Sequence, residues 1–367
     1  MNVVDLLMKL LSFKSVTPDD AGSLAFIESY LKGYEATYVN KEGVKNLFLT
    51  KKFSEGPHLC FAGHVDVVPA GDGWHTNPFV PVIKEGKIYA RGAQDMKSGV
   101  AAFLQAVKEC EDFSGRLSIL LTSDEEGDAT YGTQIMLGYL KEIGMLPDAC
   151  IVAEPTCEKI FGDAIKVGRR GSINGVIEKH GIQGHAAYPE KAKNPIHKVA
   201  QVLPMMAGVN LDEGDEFFGP SQFVITDLRA GMEVTNVTPG KLKMMFNVRN
   251  STETTLEDVE KFVHTYFNGM DYDLTLNQSA TPFLTDPDRP IVHTLDRSIQ
   301  KVCGITPKHS TAGGTSDARF IAAYGIDVIE FGVINDTIHA PNERTTIEEV
   351  EKLYEVFRET ITHFSQG

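Results

Sequence analysis

Short apolar runs alternate with segments of helical spacing through the first and last thirds of the chain. That alternation is the pattern of βαβ units around a mainly parallel sheet. His58–Ala62 and Leu117–Thr122 are largely apolar runs of strand length, and Ile151–Val152 marks another. Between Met96 and Cys110, the apolar residues Val100, Phe103, Leu104 and Val107 recur at helical spacing; Tyr131–Ile143 and Ile347–Phe364 read as further helices. The middle third has a different rhythm. Strands are expected at Ile173–Glu178, Gln222–Leu228, Lys241–Val248 and Tyr272–Leu276, with helices at Pro195–Val209 and Leu256–Phe267. This β-α-β-β-α-β order is that of the split βαβ or ferredoxin-like unit. After Phe283 the first rhythm resumes, with a strand at Asp327–Phe331. The expected fold is therefore α/β. A discontinuous domain of residues 1–171 and 283–367 carries an inserted α+β domain of residues 172–282.

At 367 residues the chain exceeds what one core usually covers, in keeping with two domains. Its 35 basic and 50 acidic residues leave a net charge of −15, which argues against a nucleic-acid or anionic-membrane surface. The five cysteines, Cys60, Cys110, Cys150, Cys157 and Cys303, form no CxxC pair and read as thiols of a reducing compartment. Met1–Leu11 lacks the basic region and cleavage site of a secretory signal, and no apolar run reaches membrane-spanning length. A cytoplasmic location is expected.

The candidate chemistry lies at the ends of the expected strands. His64 and Asp66 follow the run ending at Ala62; two residues apart on extended chain they point the same way, and the carboxylate can accept the second ring N–H of a ligating histidine. Asp95 stands between a strand and the helix near Met96, and taken alone reads as its N-cap. Glu125 and Glu126 follow an apolar strand, and burying adjacent carboxylates is costly unless cations compensate. Glu154 ends another apolar run before Pro155, and His339 lies in Asn335–Pro341. The other histidines, including His58, His75, His180, His264 and His363, have no such context and read as surface residues. Imidazoles, carboxylates and a spare carboxylate are together what a two-zinc hydrolase needs.

Along nearly its whole length the chain resembles the aminoacylase/carboxypeptidase family of co-catalytic zinc hydrolases. The segments AGHVDVVPAGDGW (62–74), RGAQDMKSG (91–99), TSDEEG (122–127) and AEPT (153–156) mark the wider family. GDEFFGPS (214–221) and TNVTP (235–239) extend the match. GRRGSI (168–173), GIQGHAAYPE (181–190) and GGTSDARF (313–320) favour members that remove succinate from N-succinyl-L,L-diaminopimelate, a step of lysine and peptidoglycan biosynthesis. Two departures stand out: Ala153 where the family commonly has glycine, and Ala340–Glu343 after His339.

By this resemblance His64 and Glu154 bind one zinc, Glu126 and His339 the other, and Asp95 bridges them; cobalt or manganese can substitute. Asp66 orients His64, and Glu125 is the general acid/base. Two dications facing three ligating carboxylates and a hydroxide leave the site near neutral, so an anionic substrate needs further cations. Lys166, Arg169 and Arg249 are candidates, since guanidinium forks suit carboxylates. The resemblance adds Ser172, Asn236, Gly314 and Thr315 as substrate contacts. It also implies that His185 stabilises the oxyanion from the partner subunit of a homodimer, with the inserted domain as lid and dimerisation module. An acetylornithine deacetylase or another aminoacylase shares the mechanism, whereas a single-zinc aminopeptidase and a non-catalytic metal binder are the more distant alternatives.

Overall fold

The computed structural model describes residues 1–364. Its contacts divide the chain into two units. The first comprises Met1–Gly168, Leu284–Ser310 and the chain from Ser316 onward; the second comprises Arg169–Phe283 with Thr311–Thr315. The sequence reading assigns Thr311–Thr315 to the first part. In the structure the Thr311 hydroxyl donates to the carbonyl of Phe217, and the Arg169 guanidinium donates to the carbonyl of Ala312 at 3.1 Å.

The first unit is built on an eight-stranded sheet. In spatial order its strands are Glu35–Tyr38, Asn46–Lys52, Arg116–Thr122, His58–His64, Ala149–Val152, Asp327–Glu330, Ala164–Lys166 and Lys308–Ser310. The central strands from Arg116–Thr122 to Asp327–Glu330 pair in parallel, and antiparallel pairing enters toward the edges. His58–His64 is buried at every position, as a parallel strand covered on both faces must be. Phe61 carries this strand into the helical layer, its ring centroid 5.7 Å from Phe103 and 5.2 Å from Phe357. Those rings belong to the helices Lys97–Lys108 and Ile347–Phe364, which pack on each other together with Val3–Leu11 and Pro290–Cys303.

The second unit is an antiparallel four-stranded sheet in the order Phe223–Ala230, Lys241–Val248, Ser172–His180, Tyr272–Ala280. With the helices Pro195–Ala200 and Leu256–Phe267 this is the ferredoxin-like βαββαβ arrangement. Lys241–Val248 alternates exposed and buried residues, and its inward Leu242, Met244, Phe246 and Val248 join Val259, Val263 and Phe267 of the helix in one core. Thr255 and Asp258 form a reciprocal capping box that starts that helix.

Two expectations are corrected. The helix expected at Pro195–Val209 ends at Ala200, followed by a short 3-10 turn at Leu203–Met205. Pro204 explains the break: it has no N–H for the carbonyl of Ala200 four residues earlier, and its ring would crowd that carbonyl. His58 is not a surface residue. It is buried beside Phe48, its Nε2 is 2.7 Å from Ser118 Oγ, and burial lowers its pKa to about 4.

Candidate metal centre

Strand register explains why distant residues meet. In the parallel pairing His64 lies opposite Thr122, and Ala62 opposite Val152. Chain leaving the three neighbouring strands at one edge thus delivers His64, then Glu125 and Glu126, then Glu154. This edge beyond the carboxyl ends of parallel strands is where open α/β sheets place their ligands. Asp95 arrives just before the helix Lys97–Lys108, and His339 from the loop after Asp327–Glu330 with left-handed backbone at φ 58°. Close backbone packing supports Glu154: a Cβ on Gly332 would lie 2.3 Å from its carbonyl oxygen, and one on Gly99 would lie 2.2 Å from that of Ala153.

Asp95 is the centre of the cluster. Its Oδ1 lies 3.2 Å from His64 Nε2, and its Oδ2 lies 3.2 Å from His339 Nε2. Glu126 Oε1 is 3.0 Å from His339 Nε2, while Glu154 Oε1 and Glu125 Oε2 are 3.6 and 3.9 Å from His64 Nε2. Ligand atoms of His64, Glu125 and Glu154 lie within 4.8 Å of one another, as do those of His64, Asp95 and Glu126. Asp95 is not the N-cap of the following helix. Met96 holds that position without a side-chain bond, and the Asp95 carboxylate turns to the histidines instead.

His64 is oriented differently from the sequence expectation. Its Nδ1 lies 2.9 Å from the main-chain carbonyl of Asp66 and 3.6 Å from that residue's carboxylate. A carbonyl can only accept, so Nδ1 carries the proton and Nε2 faces Asp95. The Asp66 carboxylate instead accepts from the backbone N–H groups of Glu125 and Glu126, at 3.5 and 3.1 Å. It therefore ties the acidic loop to the strand that presents His64.

The electrostatics are those of a cation site. Burial, joined by neighbouring carboxylates, pushes Glu125 and Glu154 well above the usual carboxylate range. Burial opposes a charged His64, but Asp95, Glu154, Glu125 and Asp66 outweigh it and raise the imidazole well above its ordinary value. Hydrogen bonds to Asp95 and Glu126 raise His339 to about 10. The carboxylates thus hold protons on both imidazoles, where divalent cations would satisfy the same charges. Two imidazoles and three further carboxylates fit zinc, and also cobalt or manganese.

The sequence pattern of Peptidase family M20/M25/M40 matches residues 60–363. The chain belongs to this family. It is 95% identical over 367 residues, the full length of both chains, to the succinyl-diaminopimelate desuccinylase of a Sulfurovum species. The protein of the same name from a Nitratiruptor species is 72% identical, over 99% of this chain and 100% of its own. An M20 family metallo-carboxypeptidase from Sulfolobus solfataricus shares the fold, with a TM-score of 0.81, 17% identity and complete coverage of both chains.

The expected residues of this M20 chain fall in both units. Lys166 belongs to the first, where it is buried and donates to Ser310 Oγ at 3.2 Å. Arg169, Ser172, His185, Asn236, Arg249, Gly314 and Thr315 belong to the second. Buried Arg169 lies against the loop of Gly314 and Thr315, within which a Cβ on Gly313 would come 2.5 Å from its Nη1. Ser172 Oγ accepts from Asn247 at 3.0 Å. His185 and Asn236 come together: the strand Gly184–His185 pairs with Val237–Thr238, and Ala186 donates to the Asn236 carbonyl at 2.9 Å. Both are exposed, as is Arg249.

Sequence reasoning missed several polar residues around the cluster. Asp317, within the quoted segment GGTSDARF, is buried, accepts from Thr133 Oγ1 at 2.6 Å, and is raised by burial to about 6. Gln94 donates to Asp336 at 2.6 Å and accepts from the N–H and hydroxyl of Thr337, each at 2.8 Å. Arg91 and Glu343 form a buried ion pair at 2.8 Å, and no spacing rule links residues 252 apart in sequence.

Proposed function

We propose that this chain removes succinate from N-succinyl-L,L-diaminopimelate by hydrolysing its amide bond. The observation that carries the chemistry is the Asp95 carboxylate, which turns one oxygen toward each of two histidine Nε2 atoms. The substrate rests on near-identity, over full length, to a relative named for that activity.

In this reading His64 and Glu154 hold one divalent cation, Glu126 and His339 a second, and Asp95 lies between them. Zinc is the proposed ion at both positions. When bound, the cations supply Lewis acidity toward water and the amide carbonyl. Glu125, beside His64 and held largely out of water, takes the proton of the attacking water and delivers it to the departing amine. Asp66 keeps Glu125 in place through the backbone N–H bonds of the acidic loop.

Lys166, Arg169, Ser172, Asn236, Arg249, Gly314 and Thr315 are proposed to receive the substrate's charged and polar groups. Two positively charged side chains that are themselves buried, Lys166 and Arg169, support carboxylate recognition by an otherwise acidic chain. His185 is proposed to donate to the oxyanion across a homodimer, with the second unit as lid. Its exposure on a short strand beside Asn236 supports such a role.

The test is hydrolysis of N-succinyl-L,L-diaminopimelate by metal-stripped protein titrated with zinc, with N-acetylornithine run in parallel. Turnover of the succinyl substrate should return as zinc is restored, reaching its plateau at two equivalents. Turnover of the acetyl substrate alone would keep the mechanism and overturn the substrate. Activity that survives full metal removal would overturn the mechanism.

A further inference from the structure

Arg91 and Glu343 are both almost completely shielded from solvent, and neither is among the proposed ligands or substrate contacts. The Glu343 carboxylate is fully engaged. Its Oε1 accepts from the backbone N–H groups of Gln94 at 2.8 Å and Asp95 at 3.1 Å. Its Oε2 accepts from the N–H of Gly92 at 3.0 Å and from Arg91 Nη1 at 2.8 Å. Three of its four donors are thus the main chain of the loop that presents Asp95.

Arg91 faces the other way. Its Nη2 donates to the carbonyls of Ala70 at 3.1 Å, His339 at 3.3 Å and Pro69 at 3.4 Å, and its Nη1 reaches the carbonyl of Ala340 at 3.4 Å. The Trp74 ring lies 5.1 Å from the guanidinium carbon. One ion pair therefore joins the backbone amides beside Asp95 to the backbone carbonyls at His339.

A buried ion pair is a poor source of stability, because an apolar pair of similar volume commonly does as well. An apolar pair cannot hold amides of one loop and carbonyls of another in fixed register. Asp95 needs that register, since a turn of its backbone would move both carboxylate oxygens away from the two imidazoles together. His64 and Glu154 have independent supports in the strand Ala149–Val152, the strand His58–His64 and the Asp66 carbonyl.

We propose that Glu343 and Arg91 are positioning residues that set the mutual geometry of Asp95 and His339, and so determine how tightly the second divalent cation is held. The inference rests on the two-cation reading of the site. It makes the segment after His339 a working part of the centre: the carboxylate at its end reaches back to the bridging residue.

The test compares metal-free parent protein with Glu343→Gln and Arg91→Lys by calorimetric titration with Co2+, alongside the visible spectrum of the cobalt-loaded forms. Glu343→Gln keeps the volume but puts an amide NH2 where an oxygen accepts. Arg91→Lys keeps the charge but loses the fork to the carbonyls. The second equivalent should bind about 10–100-fold more weakly in both variants while the first is retained. The cobalt spectrum should change, and kcat should fall with little change in KM. Far-UV circular dichroism and melting of the metal-free forms establish folding. Should Glu343→Gln fail to fold, Arg91→Lys decides the question. Unchanged affinity for the second equivalent in a folded variant would overturn the proposal. So would loss of folding in both, which would make the pair a requirement of the fold. A parent protein that binds fewer than two equivalents would remove the two-cation reading itself, a result separable from any effect of the variants.

Discussion

The sheets of the two units spend their buried positions differently. In the first unit His58–His64 is buried at every residue and ends in a histidine surrounded by carboxylates. In the second, Lys241–Val248 alternates, with one face in an apolar core and the other toward solvent. The first arrangement collects polar groups that are stable only as a set, since an uncompensated buried charge costs several kcal/mol. The second is ordinary amphipathic packing, where each residue contributes mainly the area it covers. A substitution at the edge of the first sheet should therefore act on chemistry, and one in the second core on stability.

The largest effect should come from Glu125→Gln. This change preserves shape and removes a proton carrier, so turnover should fall about 10²–10⁴-fold while metal content stays unchanged. Parallel measurement of kcat and bound metal checks both halves. Retained turnover would remove Glu125 from the mechanism and blur the distinction between the regions.

Phe246→Ala should show the opposite signature. The Phe246 ring is buried with its centroid 4.2 Å from that of Phe223, and deleting such a side chain costs about 3–5 kcal/mol. Denaturant unfolding should report that loss, while the metal affinity of the folded protein is preserved.

His58 sharpens the comparison within the first unit, because it is a buried polar group away from the cluster. Burial lowers its pKa to about 4 from an ordinary 6.5. Between these values the unfolded chain binds more protons than the folded one. Its contribution is thus fully present above pH 6.5 and is lost as pH falls toward 4. Stability of His58→Gln against the parent should show a pH-dependent difference on the order of 3 kcal/mol across that window. A difference independent of pH would mean that the imidazole is not buried in its neutral form.

The smallest effect is expected on the outer face of the second sheet. Val224 is exposed, and Val224→Thr should change stability by less than about 0.5 kcal/mol. A larger loss in denaturant unfolding would show that this face is covered in solution, as the proposed homodimer could require.

Much of this organisation was legible from residue order alone. Apolar runs alternating with helical spacing pointed to the parallel sheet, and the β-α-β-β-α-β order of the middle third pointed to the inserted unit, because burial imposes a period on composition. The helices Leu256–Phe267 and Ile347–Phe364 have the expected bounds. The helix after Pro195 was overextended because its apolar positions continue past Pro204, and the missing proline N–H prevails over that pattern. His58 was misplaced for the converse reason. A histidine at a strand start looks polar in sequence, and only the neighbouring strand's Ser118 reveals its partner.

For the candidate centre, the sequence by itself determined which side chains were available: imidazoles and carboxylates set at strand ends or in the loops after them, in segments that resemble those of known zinc hydrolases. Tertiary structure alone decided their relations. Parallel register brought His64 and Glu154 level, though they are distant in the chain. The main-chain carbonyl of Asp66, not its carboxylate, took the His64 N–H. A glutamate from the end of the His339 loop secured the backbone that presents Asp95. Such contacts leave no periodic trace, because a hydrogen bond to a main-chain amide is indifferent to the side chain at that position and depends only on where the fold brings it.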